Sequence, residues 1–164
     1  LKMWTGKTTA RVVFDSQSNE VSEDGLFHAI CGRSNVAVIV TTTHHDLWGA
    51  YYTVPVTHQN QPFVDPNLFV FSSEWKPKST NPLRLLCIKG ENKKHVGVNF
   101  FKNNRDRRLV GVCLGPRSTF WIGQHSEVES WNVSEALEGL RDAASFPFKS
   151  MYHTFARLLA VQFF

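Results

Sequence analysis

The sequence predicts an α+β fold that is mainly β, built on antiparallel strands with two or three short helices packed around them. Two apolar runs, residues 36–40 and 47–56, are dense in β-branched and aromatic side chains, which suit a pleated, half-buried surface better than a helix. Asp65-Pro66-Asn67 then supplies turn chemistry, and Leu68-Phe69-Val70-Phe71 resumes strand character. These three strands are expected to form the middle of one antiparallel sheet. Between Leu83 and Ile122, short apolar runs alternate with polar turns at hairpin spacing.

In chain order, residues 10–15 (ARVVFD) read as the first strand. Ser22-Glu23-Asp24 is a helix start, with a capping hydroxyl and two acids facing the positive end of the macrodipole. Leu26, Phe27 and Ile30 make one apolar stripe, and Gly32 is a natural stop. Gly49 inside a strand marks a bulge or a close backbone approach. Residues 83–88, 95–101, 109–114 and 118–122 read as further strands, with Val98 and Phe100 facing in. Residues 133–144 keep helical spacing through Val133, Ala136, Leu137, Leu140 and Ala144. The last strand, 155–164, puts Leu159, Val161 and Phe163 on one face.

The order and spacing of several motifs carry a resemblance. Val13-Phe14-Asp15-Ser16, a short helix, residues 36–40, Leu47-Trp48-Gly49-Ala50-Tyr51, and the run from Asp65 to Ser72 together resemble the TLDc domain. Residues 4–72 match well; Gly111 to Gly115, Thr119 to Ile122 and the closing run 158–164 match loosely. The resemblance implies two antiparallel sheets packed as a sandwich with a few helices around them. It also implies an interaction domain tied to oxidation resistance, with contact to the vacuolar proton-pumping ATPase among its precedents and no firmly established enzymatic mechanism. The chain departs from the pattern at Ala160, where the family usually carries a Glu, and in a glycine cluster thinned to Gly111 and Gly115.

A length of 164 residues is one domain's worth, and 42% apolar residues with 13% aromatics fit a packed core. The start, Leu1-Lys2-Met3, is neither an initiator Met nor a signal peptide, so the domain reads as a fragment of a longer chain. No apolar run reaches the length of a membrane-spanning helix. Cys31, Cys87 and Cys113 are odd in number and widely spaced, which points to reduced thiols and an intracellular setting, cytoplasmic or nuclear.

Charge is segregated. Residues 76–117 carry eleven Lys and Arg against two acids, a net +9, while the rest of the chain carries seven against twelve, a net −5. A polyanionic or acidic partner follows for this segment. Its tips are Lys89, Lys93 and Lys94 in one turn and Lys102, Arg105, Arg107 and Arg108 in the next, at opposite ends of one strand. The arginines offer forks that suit phosphate or guanine, the lysines supply point charge, and few aromatics accompany them, which favours duplex over single-stranded nucleic acid.

Two readings of function follow. The first is a non-catalytic interaction domain in oxidative-stress response that binds a protein partner. The second is the DNA-binding domain of a stress-responsive regulator using the basic segment. A hydrolase comes third, since no motif of nucleophile, metal or dinucleotide chemistry is present, and no cofactor is expected. Asp15, Ser16 and Glu127 are the polar residues nearest to motif-like positions, and Asp15-Ser16 reads as the cap of a strand. His44-His45-Asp46 reads as a solvated turn rather than a metal site, because adjacent strand residues point opposite ways. Cys31, three residues after His28, reads as a buried thiol beside a surface imidazole.

Overall fold

In a computed structural model, the described residues are 1–43, 47–73, 83–86, 96–114, 119–125, 127–131 and 152–164. The expected helix at 133–144, the turn at His44-His45-Asp46, and Lys89, Lys93 and Lys94 lie outside them. The strands are β1 (Ala10–Asp15), β2 (Val36–Thr42), β3 (Leu47–Tyr52), β4 (Phe63–Val64), β5 (Phe69–Ser73), β6 (Leu83–Leu86), β7 (Val96–Phe100), β8 (Arg108–Leu114), β9 (Thr119–Gly123), β10 (Glu127–Trp131) and β11 (Tyr152–Phe163). Two described helices accompany them, α1 (Lys2–Thr5) and α2 (Glu23–Ile30).

The strands form two antiparallel sheets joined through β11. One runs β1-β11-β2-β3-β5-β6, the other β4-β7-β8-β9-β10-β11. Tyr152 and Thr154 pair with β10, whereas residues from Phe155 onward pair with β2, and the register slips between Phe155 and Arg157. A bulge bends a strand and increases its local twist, which lets β11 serve both layers. The expected trio β2, β3 and β5 are indeed consecutive neighbours inside the first sheet.

The core between the sheets follows the period of two. Val36, Val38 and Val40 of β2 lie opposite Tyr52, Ala50 and Trp48 of β3, and all six join Val98, Phe100, Val110, Val112 and Ile122 of the other sheet in one buried cluster. Val98 and Phe100 face in, as their spacing predicts. Helix α2 is capped by Ser22, whose Oγ accepts from Gly25 N at 3.1 Å, and it buries Leu26 and Ile30 in this core. It stops at Cys31, followed by Gly32 at φ 72, a left-handed conformation that costs glycine no Cβ clash.

The outer face of the first sheet carries a second apolar cluster of Ala37, Ile39, Tyr51, Phe71 and Phe163, with Leu1, Trp4, Leu159 and Val161 packed against it. The apolar face predicted for β11 is this outer one. Leu158 and Ala160, on the other side of the strand, are the residues buried between the sheets. The position where a Glu is usual in TLDc-like sequences therefore lies fully buried among apolar side chains here. Helix α1 sets Trp4 edge-on to Phe69 at 6.1 Å and tilted over Phe71 at 6.5 Å. Gly49 makes that stacking possible. A Cβ there would lie 2.6 Å from the Phe71 ring and closer still to the Val38 carbonyl, so the close approach expected from sequence is present.

Candidate functional site

The cationic loop between β7 and β8 is held by backbone geometry and by acids from a distant part of the chain. Asn103 and Arg107 both take left-handed backbone angles, φ 54 and φ 51, and Arg107 N donates to Asn104 O at 3.2 Å. Asn104 closes the turn from inside. Its Oδ1 accepts from Arg108 N at 2.7 Å and its Nδ2 donates to Arg108 O at 2.8 Å. Glu23, in the first turn of α2, accepts from Asn103 N at 2.6 Å and from Asn104 Nδ2 at 2.7 Å. Asn60 brackets the start of the loop, accepting from Lys102 N at 2.8 Å and donating to Lys102 O at 3.0 Å. Gln59 Nε2 donates to Phe101 O at 3.1 Å. Loop, helix and the 57–62 connection thus form one hydrogen-bonded unit, although Glu23 and Asn103 are eighty residues apart in sequence.

The four described cations of the predicted site sit on this unit in different states. Lys102 Nζ lies 3.2 Å from Asp24, and Arg108 Nη2 lies 2.9 Å from Asp106. Arg108 also lays its guanidinium over the Trp121 ring at 3.8 Å, so its flat face is occupied and its Nε is buried without an acceptor. Arg107 is exposed and its Nη1 stands 2.6 Å from His125 Nε2, a ring nitrogen that accepts when neutral. Arg107 O accepts from Gln124 N at 2.9 Å, which ties the loop to the β9–β10 turn. Arg105 is exposed, and among the described residues it has no ion-pair partner. Lys102 and Arg108 are therefore compensated by carboxylates, whereas Arg105 and Arg107 are exposed, Arg107 beside His125.

Of the acids near motif-like positions, Asp15 is committed to structure. Asp15 takes a two-pronged ion pair from Arg157, with Nε to Oδ1 at 3.0 Å and Nη2 to Oδ2 at 2.5 Å. That guanidinium, helped by the Gln17 N–H at 3.0 Å, holds the Asp15 carboxyl below the usual carboxylate range. Ser16 Oγ accepts from Leu158 N at 2.9 Å, so both residues fasten the end of β1 to β11, the strand-capping role read from sequence. Glu127 lies in β10 opposite Thr154, on the other sheet.

Asp65 was legible only as part of a turn. Its carboxylate is fully buried, where it accepts from Thr53 N, from Thr53 Oγ1 at 2.9 Å and from Asn67 N at 2.9 Å. Its own N–H donates to Val96 O at 2.9 Å. The residue ties the end of β3 to the entry of β5 and to β7, and so fixes both ends of the connection that carries Gln59 and Asn60. Cys31 is not buried, contrary to the sequence reading. As the C-cap of α2 it sits at the helix end with its side chain in solvent, near the exposed His28. Cys113 is half-buried, and burial pushes its thiol up.

Among the described residues, no group of three or more His, Cys, Asp or Glu is arranged to hold a metal ion. No described helix is long and apolar enough to cross a membrane. A family model described as the TLDc domain matches residues 2–146, well beyond the 4–72 over which the motifs match closely. No curated protein matches the chain.

Proposed function

The chain belongs to the TLDc domain family, and we propose that it serves there as a non-catalytic interaction domain of an intracellular stress response, binding an acidic protein partner through the β7–β8 loop. The observation that carries this reading is the division of labour among the loop's charges. Asp24 and Asp106 compensate Lys102 and Arg108, while Arg105 and Arg107 stand exposed on a turn braced by Glu23, Asn60 and Asn104. A braced turn loses little conformational freedom on binding, so more of the contact energy appears as affinity. Arginine forks match carboxylates two-pronged, which gives direction as well as charge. The acids Asp15, Glu23 and Asp65 are each occupied by structural partners, which supports binding rather than chemistry as the domain's task.

Duplex DNA is the second reading, favoured by the net +9 of residues 76–117. Chromatography over a salt gradient on duplex DNA, heparin and immobilised polyglutamate separates the two. An acidic protein partner predicts polyglutamate retention that Arg105→Glu with Arg107→Glu abolishes at unchanged melting temperature. DNA binding through about six phosphates predicts a loss of about 10³-fold or more in affinity between 50 and 200 mM salt. Polyglutamate retention unaffected by the double reversal would overturn the first reading.

A further inference from the structure

We propose that the open edge of β1 is a second docking site, which takes an extended acidic segment of a partner protein as an added strand. The proposal rests on residues that the cationic loop does not share, so the two sites succeed or fail separately.

Three features of the edge lead there. The first is backbone direction. Among the described strands, β1 pairs with β11 alone. At its start, Phe164 N donates to Thr9 O at 3.0 Å and Thr9 N donates to Phe164 O at 3.5 Å, so Thr9 and Phe164 form a hydrogen-bonded pair. Antiparallel ladders alternate, and the next bonded pair is Arg11 with Gln162. The N–H and C=O groups of Ala10 and Val12 consequently point away from β11, and no described strand lies beside them. The second is exposure. Ala10, Arg11 and Val12 are all exposed, and Val12, at 54%, is one of the most exposed large apolar side chains among the described residues. Its neighbours across the ladder on the same face are Val161 and then Ala37, so an incoming strand would extend the outer apolar cluster by one more row.

The third feature is charge, and it selects the occupant. The first fourteen residues hold Lys2, Lys7 and Arg11 and no acid. None of the three has an ion-pair partner among the described residues, and the first acid, Asp15, is already held by Arg157. A second copy of the chain pairing edge to edge would bring Arg11 toward its own image, which repels. A nucleic acid offers no peptide groups to complete the ladder. An acidic extended peptide satisfies the backbone, the apolar row and the charge together. The register slip between Val12 and Phe14 ends the usable edge, so the added strand is short.

The test uses immobilised extended peptides in which valine alternates with glutamate, with lysine or with serine, probed with the whole chain carrying Arg105→Glu and Arg107→Glu, so that the cationic loop adds no acidic-peptide retention of its own. The glutamate series is expected to be retained above the other two. Arg11→Glu should reverse the preference toward the lysine series, and Val12→Pro, which removes an outward N–H, should lower retention of the glutamate series about tenfold or more. Arg11 is exposed and has no ion-pair partner among the described residues, so its variant keeps the question decidable if Val12→Pro fails to fold. Hydrogen exchange at Ala10 and Val12 should slow when the glutamate peptide is bound. Equal retention of all three series, retention that Arg11→Glu leaves unchanged, or self-association that Arg11→Glu abolishes would each overturn the proposal.

Discussion

Replacing Asp65 tests the brace beneath the proposed site. Asp65→Ala removes a buried carboxylate and leaves Thr53 N–H, the Thr53 hydroxyl and Asn67 N–H without their acceptor. Hydrogen bonds to a charged group contribute about 1.5–3 kcal/mol each, and the Thr53 hydroxyl can rotate to another acceptor. Two stranded backbone donors therefore set the loss at about 3–5 kcal/mol. For a chain of this size each kcal/mol moves the melting temperature by about 2–4 °C, so the variant should melt about 6–20 °C lower. Asp65→Asn keeps Oδ1 for Thr53 Oγ1 and Asn67 N but turns an amide donor toward Thr53 N–H, and should lose about half as much. Thermal and urea melts followed by circular dichroism read both values. Because Asp65 fixes the connection that carries Gln59 and Asn60, Asp65→Ala should also weaken polyglutamate retention below its melting transition. An Asp65→Ala melt within about 0.5 kcal/mol of the parent, or an Asn variant less stable than the Ala variant, refutes the reasoning.

Other substitutions test neighbouring parts. Gly49→Ala should destabilise by about 1–3 kcal/mol and expose Trp4, seen as a red shift in its fluorescence, because the new Cβ meets the Phe71 ring and the Val38 carbonyl. Tyr52→Phe should leave stability unchanged or raise it by about 1 kcal/mol, since the buried Tyr52 hydroxyl has no hydrogen-bond partner among the described residues. Arg107→Gly should melt no lower than the parent, since glycine relieves the φ 51 strain, yet lose polyglutamate retention. Asp15→Asn should flatten the acid limb of stability. The native Asp15 carboxyl is held below its ordinary value by Arg157, so its contribution is full above the ordinary value of about 4 and fades as pH falls through the lower native one. Melting curves stepped from neutral to acid pH would show parent and variant converging at the acid end.

What could be read in advance depended on whether the governing contact was local. The trio β2, β3 and β5 follows from alternating β-branched and aromatic residues, and the Ser22 cap from a hydroxyl one residue before two acids; both signals lie within a few positions. The buried role of Asp65 was illegible because Asp-Pro-Asn signals a turn whether or not its carboxylate faces the interior. The closing strand is apolar on both sides, so periodicity could not tell which of Leu158 with Ala160, or Leu159 with Val161, lines the main core. Helix α1 spans four residues, too few to show a helical period, and owes its place to one tryptophan packing on a glycine-opened patch. The cationic loop was plain in composition. Its compensation was not, because Glu23 and Asp24 reach Asn103, Asn104 and Lys102 only through the fold.

Titration calorimetry with polyglutamate at stepped salt concentrations, run on the parent chain and on Arg105→Glu with Arg107→Glu, bears most directly on the binding role. The parent should release heat on binding at low salt and weaken steadily as salt rises, while the double variant, folded to the same melting temperature, gives no saturable heat. Matching isotherms from the two proteins would mean that these guanidinium groups bind no acidic partner.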